Sequence, residues 1–406
     1  MRFSGFDDEW KTYKLKDLLH NKSSSISINQ LDDNVGNYPL YGASGFLKCI
    51  DFYEMDSDYI SIVKDGSGVG NISFHEKNTS VVNTSQYILP KENLNIHFIF
   101  YLLQTINLNK YKTGSTIPHI YFKDYSIEKV KIPKYDEQKK IGILLKNLDA
   151  KIEILDNKLQ MCQNFKKYLM QQIFTQKLRF ADCTGEWNLF KLGDIVELMR
   201  NGCSENQVSF ETEFPVTRIE TISKGILNFD KVGYVEKIDS SYLLQYGDIL
   251  LSNINSLKYI GNCVFFDEDK TLYHGMNLML MRFKDDFNKK YLFYYMKFYQ
   301  QWFQKMACQA VNQASINQSS LKKFPFYIPP TIDEQNKIVN VIDDTEHKIN
   351  SIKDQIIKMK DFKKGLLQQM FVVRINWRCN FKLAKSPSFN KHLLILKNKI
   401  IFIIIE

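Results

Sequence analysis

Side chains suited to contacts with phosphates or base edges gather in polar loops of this sequence. Lysine and hydroxyl side chains match phosphate oxygens, whereas asparagine and glutamine can bond base edges. Any one of them is more often an ordinary solvated loop residue, but recurrence at equivalent places in both halves favours binding. The candidates of the N-terminal half are Lys64, Ser67, Asn71, Lys110, Lys112, Thr113, Ser115, Thr116 and His119. Those of the C-terminal half are Asn253, Asn255, Ser256, Lys258, Tyr259, Gln309, Asn312, Gln313 and Ser315.

Catalytic motifs are not apparent in the sequence. The glycine-rich stretch 66–70 could hold a phosphate or S-adenosylmethionine, but such loops precede a helix, and Ile72-Ser73-Phe74-His75 has the pattern of a strand. A tight hairpin is therefore favoured. The Pro329-Pro330 pair is followed by threonine, not by the aromatic residue of amino-methyltransferases, and no Walker lysine motif occurs. No histidine pair has metal-ligand spacing, so His119 is expected to be a hydrogen-bonding or surface residue rather than a metal ligand.

The composition further limits the classes of protein to which this chain could belong. The chain has 406 residues, a net charge of +9 and a pI near 8.9, a moderate basic excess that suits a polyanionic partner. Its seven cysteines are scattered and form no CxxC, which argues against a disulfide framework or a zinc site. The N-terminus lacks an apolar secretion segment, and the apolar C-terminal stretch is interrupted by Lys397 and Lys399. We therefore expect no membrane span and a cytoplasmic location.

One sequence pattern occurs twice. Glu9-Trp10 returns as Glu186-Trp187 at an offset of 177, and Ile132-Pro133 returns as Ile328-Pro329. A longer segment repeats without gaps at an offset of 197, which indicates an internal duplication. Its identical positions between residues 137 and 174 are Glu137, Gln138, Lys140, Ile141, Lys151, Ile152, Phe165, Lys166, Lys167, Leu169, Gln171, Gln172 and Phe174. The predicted segments are a globular domain (1–134), a central helix (135–180), a second globular domain (181–330), a distal helix (331–375) and an atypical tail (376–406).

Both copies of this segment predict a long helix with a heptad seam. In the first copy Phe165 shifts the frame by one position, and in the second Thr345 is the one polar residue on the seam. About 40 residues at ~1.5 Å each give a helix roughly 60 Å long, whose apolar stripe needs a partner. The other copy is the simplest partner, although two independent amphipathic helices are the alternative. The predicted seam comprises Ile141, Leu145, Leu148, Ile152, Leu155, Leu159, Leu169, Ile338, Ile342, Ile349, Ile352, Ile356 and Leu366.

The globular parts have a mixed α/β pattern. Strands are predicted at 59–63, 72–75 and 130–132, with a buried aromatic helix within 92–107. The second part repeats this order, with strands at 247–252 and 261–266 and an aromatic helix at 291–298. The fold class expected is therefore α+β.

These features together resemble the specificity subunit of Type I restriction-modification enzymes. The resemblance rests on Thr113–His119, on Ile132–Ile141 with its counterpart Ile328–Gln335, and on Lys166–Phe174 with its counterpart Phe362–Phe371. It covers residues 10 to about 372. In that family two α/β target-recognition domains are separated by two long helices, which form an antiparallel coiled coil with an internal pseudo-two-fold repeat.

The resemblance implies a non-catalytic chain that binds double-stranded DNA. Each recognition domain would read one half of a split, asymmetric site. Methylation subunits would use S-adenosylmethionine to modify adenine, and a restriction/translocase subunit would use ATP and magnesium, so none of these cofactors is expected in this chain. The alternatives are a catalytic methyltransferase or nuclease, disfavoured by the missing motifs, and a coiled-coil scaffold that never contacts DNA, mildly disfavoured by the basic loops.

Overall fold

The computed structural model describes residues 2–31, 34–223, 225–309 and 313–372. Of the described residues, those up to Ile154 together with 356–372 make a first unit, and those within Leu155–Gln355 make a second. The candidate residue Asn312 and the tail 376–406 lie outside the described residues. Among those that are described, no helix is both long enough and apolar enough to cross a membrane. The division of the sequence into five segments stays a prediction.

In the first unit a short aromatic helix packs on a four-stranded sheet, and a three-stranded sheet and one strand pair complete the unit. The four-stranded sheet is antiparallel in the order β2-β8-β5-β6, the three-stranded sheet has the order β4-β3-β7, and β1 pairs with β9. The strands are β1 (Lys11–Lys14), β2 (Leu19–Ser23), β3 (Tyr38–Gly42), β4 (Gly45–Ile50), β5 (Tyr59–Val63), β6 (Ile72–His75), β7 (Ser80–Val81), β8 (Ser85–Pro90) and β9 (Lys129–Ile132). The helices are α1 (Leu15–Leu18), α2 (Ile96–Gln104), α3 (Phe122–Tyr125) and the first part of the long helix α4 (Tyr135–Phe174).

The second unit repeats the main sheet. Its four strands follow the order β11-β18-β15-β17, β10 pairs with β21, and two three-stranded sheets, β12-β14-β13 and β16-β20-β19, complete it. The strands are β10 (Asn188–Lys191), β11 (Val196–Asn201), β12 (Gln207–Val208), β13 (Phe214–Val216), β14 (Gly233–Val235), β15 (Ile249–Leu251), β16 (Ile254–Asn255), β17 (Cys263–Phe265), β18 (Met279–Phe283), β19 (Cys308–Gln309), β20 (Ala314–Ser315) and β21 (Pro325–Ile328). The helices are the second part of α4, α5 (Leu192–Ile195), α6 (Ile219–Ile222), α7 (Lys289–Phe298), α8 (Gln300–Met306), α9 (Gln318–Leu321) and the first part of the long helix α10 (Ile332–Leu367). The end of α10 and the π-helical turn that follows it, Gln368–Val372, belong to the first unit.

Each unit contains a pair of antiparallel helix segments. In the first unit Glu137 accepts a hydrogen bond from Trp10, whose ring packs on Phe371, whereas Asp149, farther along α4, pairs with Lys363. Residues later in α4 therefore contact residues earlier in the distal helix, so the two segments run antiparallel. In the second unit Lys166 pairs with Glu346, and Trp187 bonds Glu334 and packs on Tyr291, which itself packs on Phe174. Two like helices running in opposite directions therefore cover each other's apolar faces within each unit.

Nearly all of the predicted seam is buried. Leu159 alone among the thirteen positions is partly exposed. Phe165, which the heptad pattern placed on the seam with a shift of frame, is instead 55% exposed, and the side chain of Lys166 is only 12% exposed. The shift of frame predicted at Phe165 is therefore wrong: Lys166, four positions after Cys162 and three before Leu169, keeps the seam in frame and pairs with Glu346 of the facing helix.

Burial of a histidine predicts a pH-dependent stability in the first unit. His75 lies beneath Tyr59, its Nε2 is 2.9 Å from Ser61 Oγ, and burial lowers its pKa from 6.5 to about 4. Between these values the unfolded chain takes up the proton first, so the free energy of unfolding falls as pH falls from 6.5 to 4, by up to about 3 kcal/mol. Hydrogen exchange of the β5 and β6 amides near pH 7 and pH 4.5 should show this loss. His75→Gln should reduce the dependence on pH; an equal dependence in that variant would contradict the assignment.

Candidate nucleic-acid interface

In the first unit the glycine-rich turn and the polar loop form one surface. The turn between β5 and β6 is a hairpin, as expected, and Gly66 and Gly70 take φ of +90° and +88°, which glycine adopts without strain. Gly66 N donates to Pro118 O at 3.0 Å, and His119 Nδ1 lies 2.7 Å from Asp65 Oδ1. The backbones of Thr113 and His119 bond each other in both directions, which closes the loop.

Most candidates on this surface are free to meet a ligand. The exposed ones are Ser67, Asn71, Lys112, Thr113, Ser115 and Thr116, whereas Lys64 and His119 are half-buried. Lys110 differs, because its ammonium group pairs with Glu128, which also accepts a hydrogen bond from Tyr111. Burial favours a higher pKa for Glu128, but the bonds from Lys110 and Tyr111 lower that pKa overall. Lys110 therefore serves to anchor the loop.

In the second unit the structure brings two separate candidate loops into one small sheet. Strand β16 pairs with β20, which pairs in turn with β19, so Asn255 and Gln309 both lie opposite Ala314, one on each side of the strand that contains Ser315. Ser256, Lys258, Gln309, Gln313 and Ser315 are exposed, and Asn255 and Tyr259 are half-buried. Asn255 Nδ2 donates to Ser252 Oγ, which fixes the turn after β15.

Asn253 behaves differently from its neighbours. It is 4% exposed and its backbone carbonyl accepts a bond from Ile316 N, which joins the two loops. Its Oδ1 has no hydrogen-bond partner within the described part of the chain. The contacts of the individual candidates with nucleic acid stay predictions.

The duplicated Glu-Gln pair attaches the first domain to its helix. Glu137 is 1% exposed and receives two bonds from the Arg2 guanidinium, at 2.8 and 2.7 Å, and one from Trp10 Nε1 at 3.2 Å. Gln138 Oε1 accepts from the backbone N of Asn95, whose side chain caps α2. A Cβ at Gly142 would lie 2.6 Å from Asn95 Oδ1, which explains a glycine inside a long helix.

The second unit contains the same cluster. The Arg179 guanidinium bonds Glu334 at 2.7 and 2.8 Å, and Trp187 Nε1 donates to Glu334 at 3.1 Å. Gln335 Oε1 accepts from the backbone N of Asn288, whose side chain caps α7. The repeated Glu-Gln pair is therefore structural: Glu binds the segment before the domain, and Gln holds the cap of its aromatic helix.

The arginines of these clusters are not among the candidate residues predicted from the sequence. Arg2 and Arg179 are separated by 177 residues, the same offset that relates Trp10 to Trp187. Extending that alignment by eight residues toward the N-terminus would have found them. Bidentate bonding to a carboxylate is typical of arginine, which explains its presence at both positions.

A recurring lysine also proves to be structural. Lys363 Nζ lies 2.6 Å from Asp149 Oδ1 and 5.0 Å from the centre of the Tyr101 ring, whose hydroxyl donates to Asp149. In the second unit Lys166 pairs with Glu346 and lies 5.4 Å from the centre of the Tyr294 ring. The first lysine of each Lys-Lys pair thus joins the two helix segments of its unit to the aromatic helix.

The positive charge of the chain is not spread over the globular domains. Residues 1–134 contain 15 basic and 15 acidic side chains, and residues 181–330 contain 16 and 17. The remaining segments contain 23 basic and 13 acidic side chains and so hold all of the positive excess, which means that contact of a domain with a polyanion depends on the local placement of charges. Within the described residues no group of three or more His, Cys, Asp or Glu could hold a metal ion.

A family model and two relatives of known class all indicate the same protein family. The family model for the Type I restriction modification DNA specificity domain matches residues 7–162 and 184–360. The chain is 35% identical over 215 residues to the type I restriction enzyme MjaX specificity subunit of Methanocaldococcus jannaschii, an alignment that covers 51% of this chain and 50% of that protein. It is 22% identical to the MjaVIII specificity subunit of the same organism, over 71% of this chain and 74% of that one.

Solved structures show the same fold. The S subunit of a Type I restriction-modification system from M. genitalium superposes with a TM-score of 0.64 at 16% identity, covering 91% of this chain and 97% of that one. A chain from a study of type I R-M complex assembly superposes with a TM-score of 0.55 at 14% identity, covering 90% and 98%. These likenesses show the expected α+β fold with two domain regions and long helices.

Proposed function

Because the chain belongs to the family of Type I restriction-modification DNA specificity subunits, which recognise DNA sequences, we propose that it reads a bipartite, asymmetric site. The first recognition domain reads one half-site and the second reads the other. The chain itself is non-catalytic and acts in the cytoplasm. It directs adenine methylation by methylation subunits and cleavage by a restriction/translocase subunit.

One observation carries this proposal: a duplicated framework presents two non-identical polar surfaces. The Arg–Glu–Trp clusters and the capping glutamines match in the two units. The exposed loops do not match, since the first offers lysine and hydroxyl groups and the second offers mainly amides and serine. Equal frameworks with different contact groups favour two different half-sites.

Docking of a methylation subunit has a candidate surface in the second unit. Met161, Phe165 and Tyr168 of α4 are 72%, 55% and 57% exposed, and their spacing puts them on one helix face. Large apolar side chains on an exposed face are typical of protein interfaces. S-adenosylmethionine, ATP and magnesium belong to the partner subunits in this proposal.

Paired loop substitutions test whether each domain reads a different half-site. The full chain is expressed with its methylation subunits in a host that lacks DNA methylation, and methylated adenines are mapped. We expect a split motif, relaxed in one half by Ser115→Ala with Thr116→Ala and in the other half by Gln309→Ala with Gln313→Ala. Loss of a base contact costs about 1–3 kcal/mol, which lowers discrimination at that position about 5- to 150-fold.

Other outcomes would contradict the proposal in different ways. If both double variants relax the same half-site, the proposal that each domain reads its own half-site is wrong. A stable complex that methylates no site would argue against a recognition function. A purified chain that methylates or cuts DNA alone would support the catalytic alternative, and a complex that does not bind DNA would support the scaffold.

A further inference from the structure

The two-stranded ribbon β1–β9 has a cationic outer face. Lys14 is the register partner of Lys129, and Thr12 is the partner of Lys131. Partners in a β-ladder share a face and alternate residues along a strand return to it, so these four side chains point the same way. Val130 lies between the two lysines of β9 and is 4% exposed, which shows that the opposite face packs on the core.

The charges on this face are not neutralised within the protein. Lys14, Lys16, Lys129 and Lys131 are exposed, and within the described residues none of their ammonium groups forms an ion pair. Thr12, Lys14, Lys16, Asp17 and Lys129 line one open depression of the surface. The Asp17 carboxylate accepts a bond from the backbone N of Lys14, so it serves as a local cap.

Like charges placed opposite each other on a ribbon destabilise it. Lys14 and Lys129 are such a pair, and Lys131 follows Lys129 about 6.6 Å along the strand. An anion that bridges the lysines would remove this repulsion. A row of lysines with a hydroxyl is a typical set of contacts for the phosphates of nucleic acid, which carry no sequence information.

The ribbon is continuous with the candidate DNA-reading loop. Glu128, directly before β9, bonds Lys110 and Tyr111 through its side chain and Leu15 N through its carbonyl. The base of the loop 110–119 is therefore attached to the end of the ribbon that carries Lys14 and Lys129. A duplex in contact with the loop would pass near this cationic face.

The equivalent ribbon of the second unit lacks this character. Strands β10 and β21 pair in the same way, but the matching face has Leu189 and Lys191 opposite Tyr327 and Pro325. Leu189 is 59% exposed and Tyr327 is 41% exposed. The lysine cluster is therefore not a by-product of the duplicated framework and belongs to the first unit.

We propose that Thr12, Lys14, Lys129 and Lys131, with Lys16 beside them, bind phosphates of the DNA backbone adjacent to the half-site read by the first domain. This lysine ribbon adds affinity without changing the sequence that is read. It rests on the proposed function, since it assigns the backbone contacts of the same DNA complex.

The experiment measures DNA binding by the full complex with methylation subunits as a function of salt. Three phosphate contacts contribute a slope of about −2.7 to the dependence of log affinity on log salt. The triple variant Lys14→Gln, Lys129→Gln, Lys131→Gln should lose most of that slope, and bind at least tenfold more weakly at low salt. Its methylated motif should remain the same. The variant Lys14→Arg, Lys129→Arg, Lys131→Arg should keep the wild-type slope, because guanidinium also binds phosphate.

A control variant that loses the same charge elsewhere distinguishes local phosphate contacts from the effect of the net charge of the protein. Lys348→Gln, Lys353→Gln, Lys358→Gln removes the same charge from exposed positions of α10. Equal loss of slope in both triple variants, or an unchanged slope in the ribbon variant, would overturn the proposal. So would loss of the methylation subunits from the ribbon variant, since the face would then bind an acidic protein. The proposed function is judged independently, by whether the wild-type complex methylates a split site.

Discussion

Glu334→Ala should destabilise the second unit by about 3 kcal/mol, near the lower end of the cost of breaking a buried charge pair. The Glu334 carboxylate is 1% exposed, and it accepts bonds from Arg179 and from Trp187. Its removal leaves the guanidinium and the indole N–H without their partner at a site that is largely closed to water. Urea unfolding of the purified chain, followed by hydrogen exchange of α7, would measure the loss.

Two further variants make this result specific. Glu334→Gln keeps an oxygen acceptor and the side-chain volume, so we expect a smaller loss. Glu186→Ala removes an exposed carboxylate beside Trp187 and should change the free energy of unfolding by less than about 0.5 kcal/mol. If Glu334→Ala and Glu186→Ala have the same effect, the cluster does not hold the domain to its helix.

Phe174→Ala should cost about 4 kcal/mol, within the range for truncating a fully buried phenylalanine. Phe174 is 2% exposed and its ring packs edge-on against Tyr291 and Tyr295, with Phe298 5.5 Å away. These three aromatic side chains belong to α7, so Phe174 fixes the end of α4 to the aromatic helix of the second unit. Thermal unfolding monitored by near-UV circular dichroism would report the lost packing.

Phe165→Ala is the matched control, because it removes the same side chain from the same helix. Phe165 is 55% exposed, so we expect a change below about 0.5 kcal/mol in the free energy of unfolding. Its effect should instead appear in binding of the methylation subunits. A large loss of stability from Phe165→Ala would show that the heptad pattern had placed this residue correctly on the seam.

The internal duplication is a feature of this protein that its sequence alone reveals. Gapless identity over a helix is visible without coordinates, and so is an apolar residue every three or four positions. The hairpin at 66–70 was also predictable, because glycine supplies the positive φ that its turn requires. Fold class, duplication, long helices and the place of the polar loops therefore follow from the sequence alone.

Only the tertiary structure decides which polar side chains remain available to a partner. Lys110 and Lys112 look alike in the sequence, yet Glu128 neutralises the first and leaves the second exposed. Arg2 bonds a carboxylate 135 positions away, and the lysine ribbon joins residues more than 110 positions apart. Ion pairs and cross-strand registers depend on which distant segments meet, and no periodicity within a short stretch contains that information.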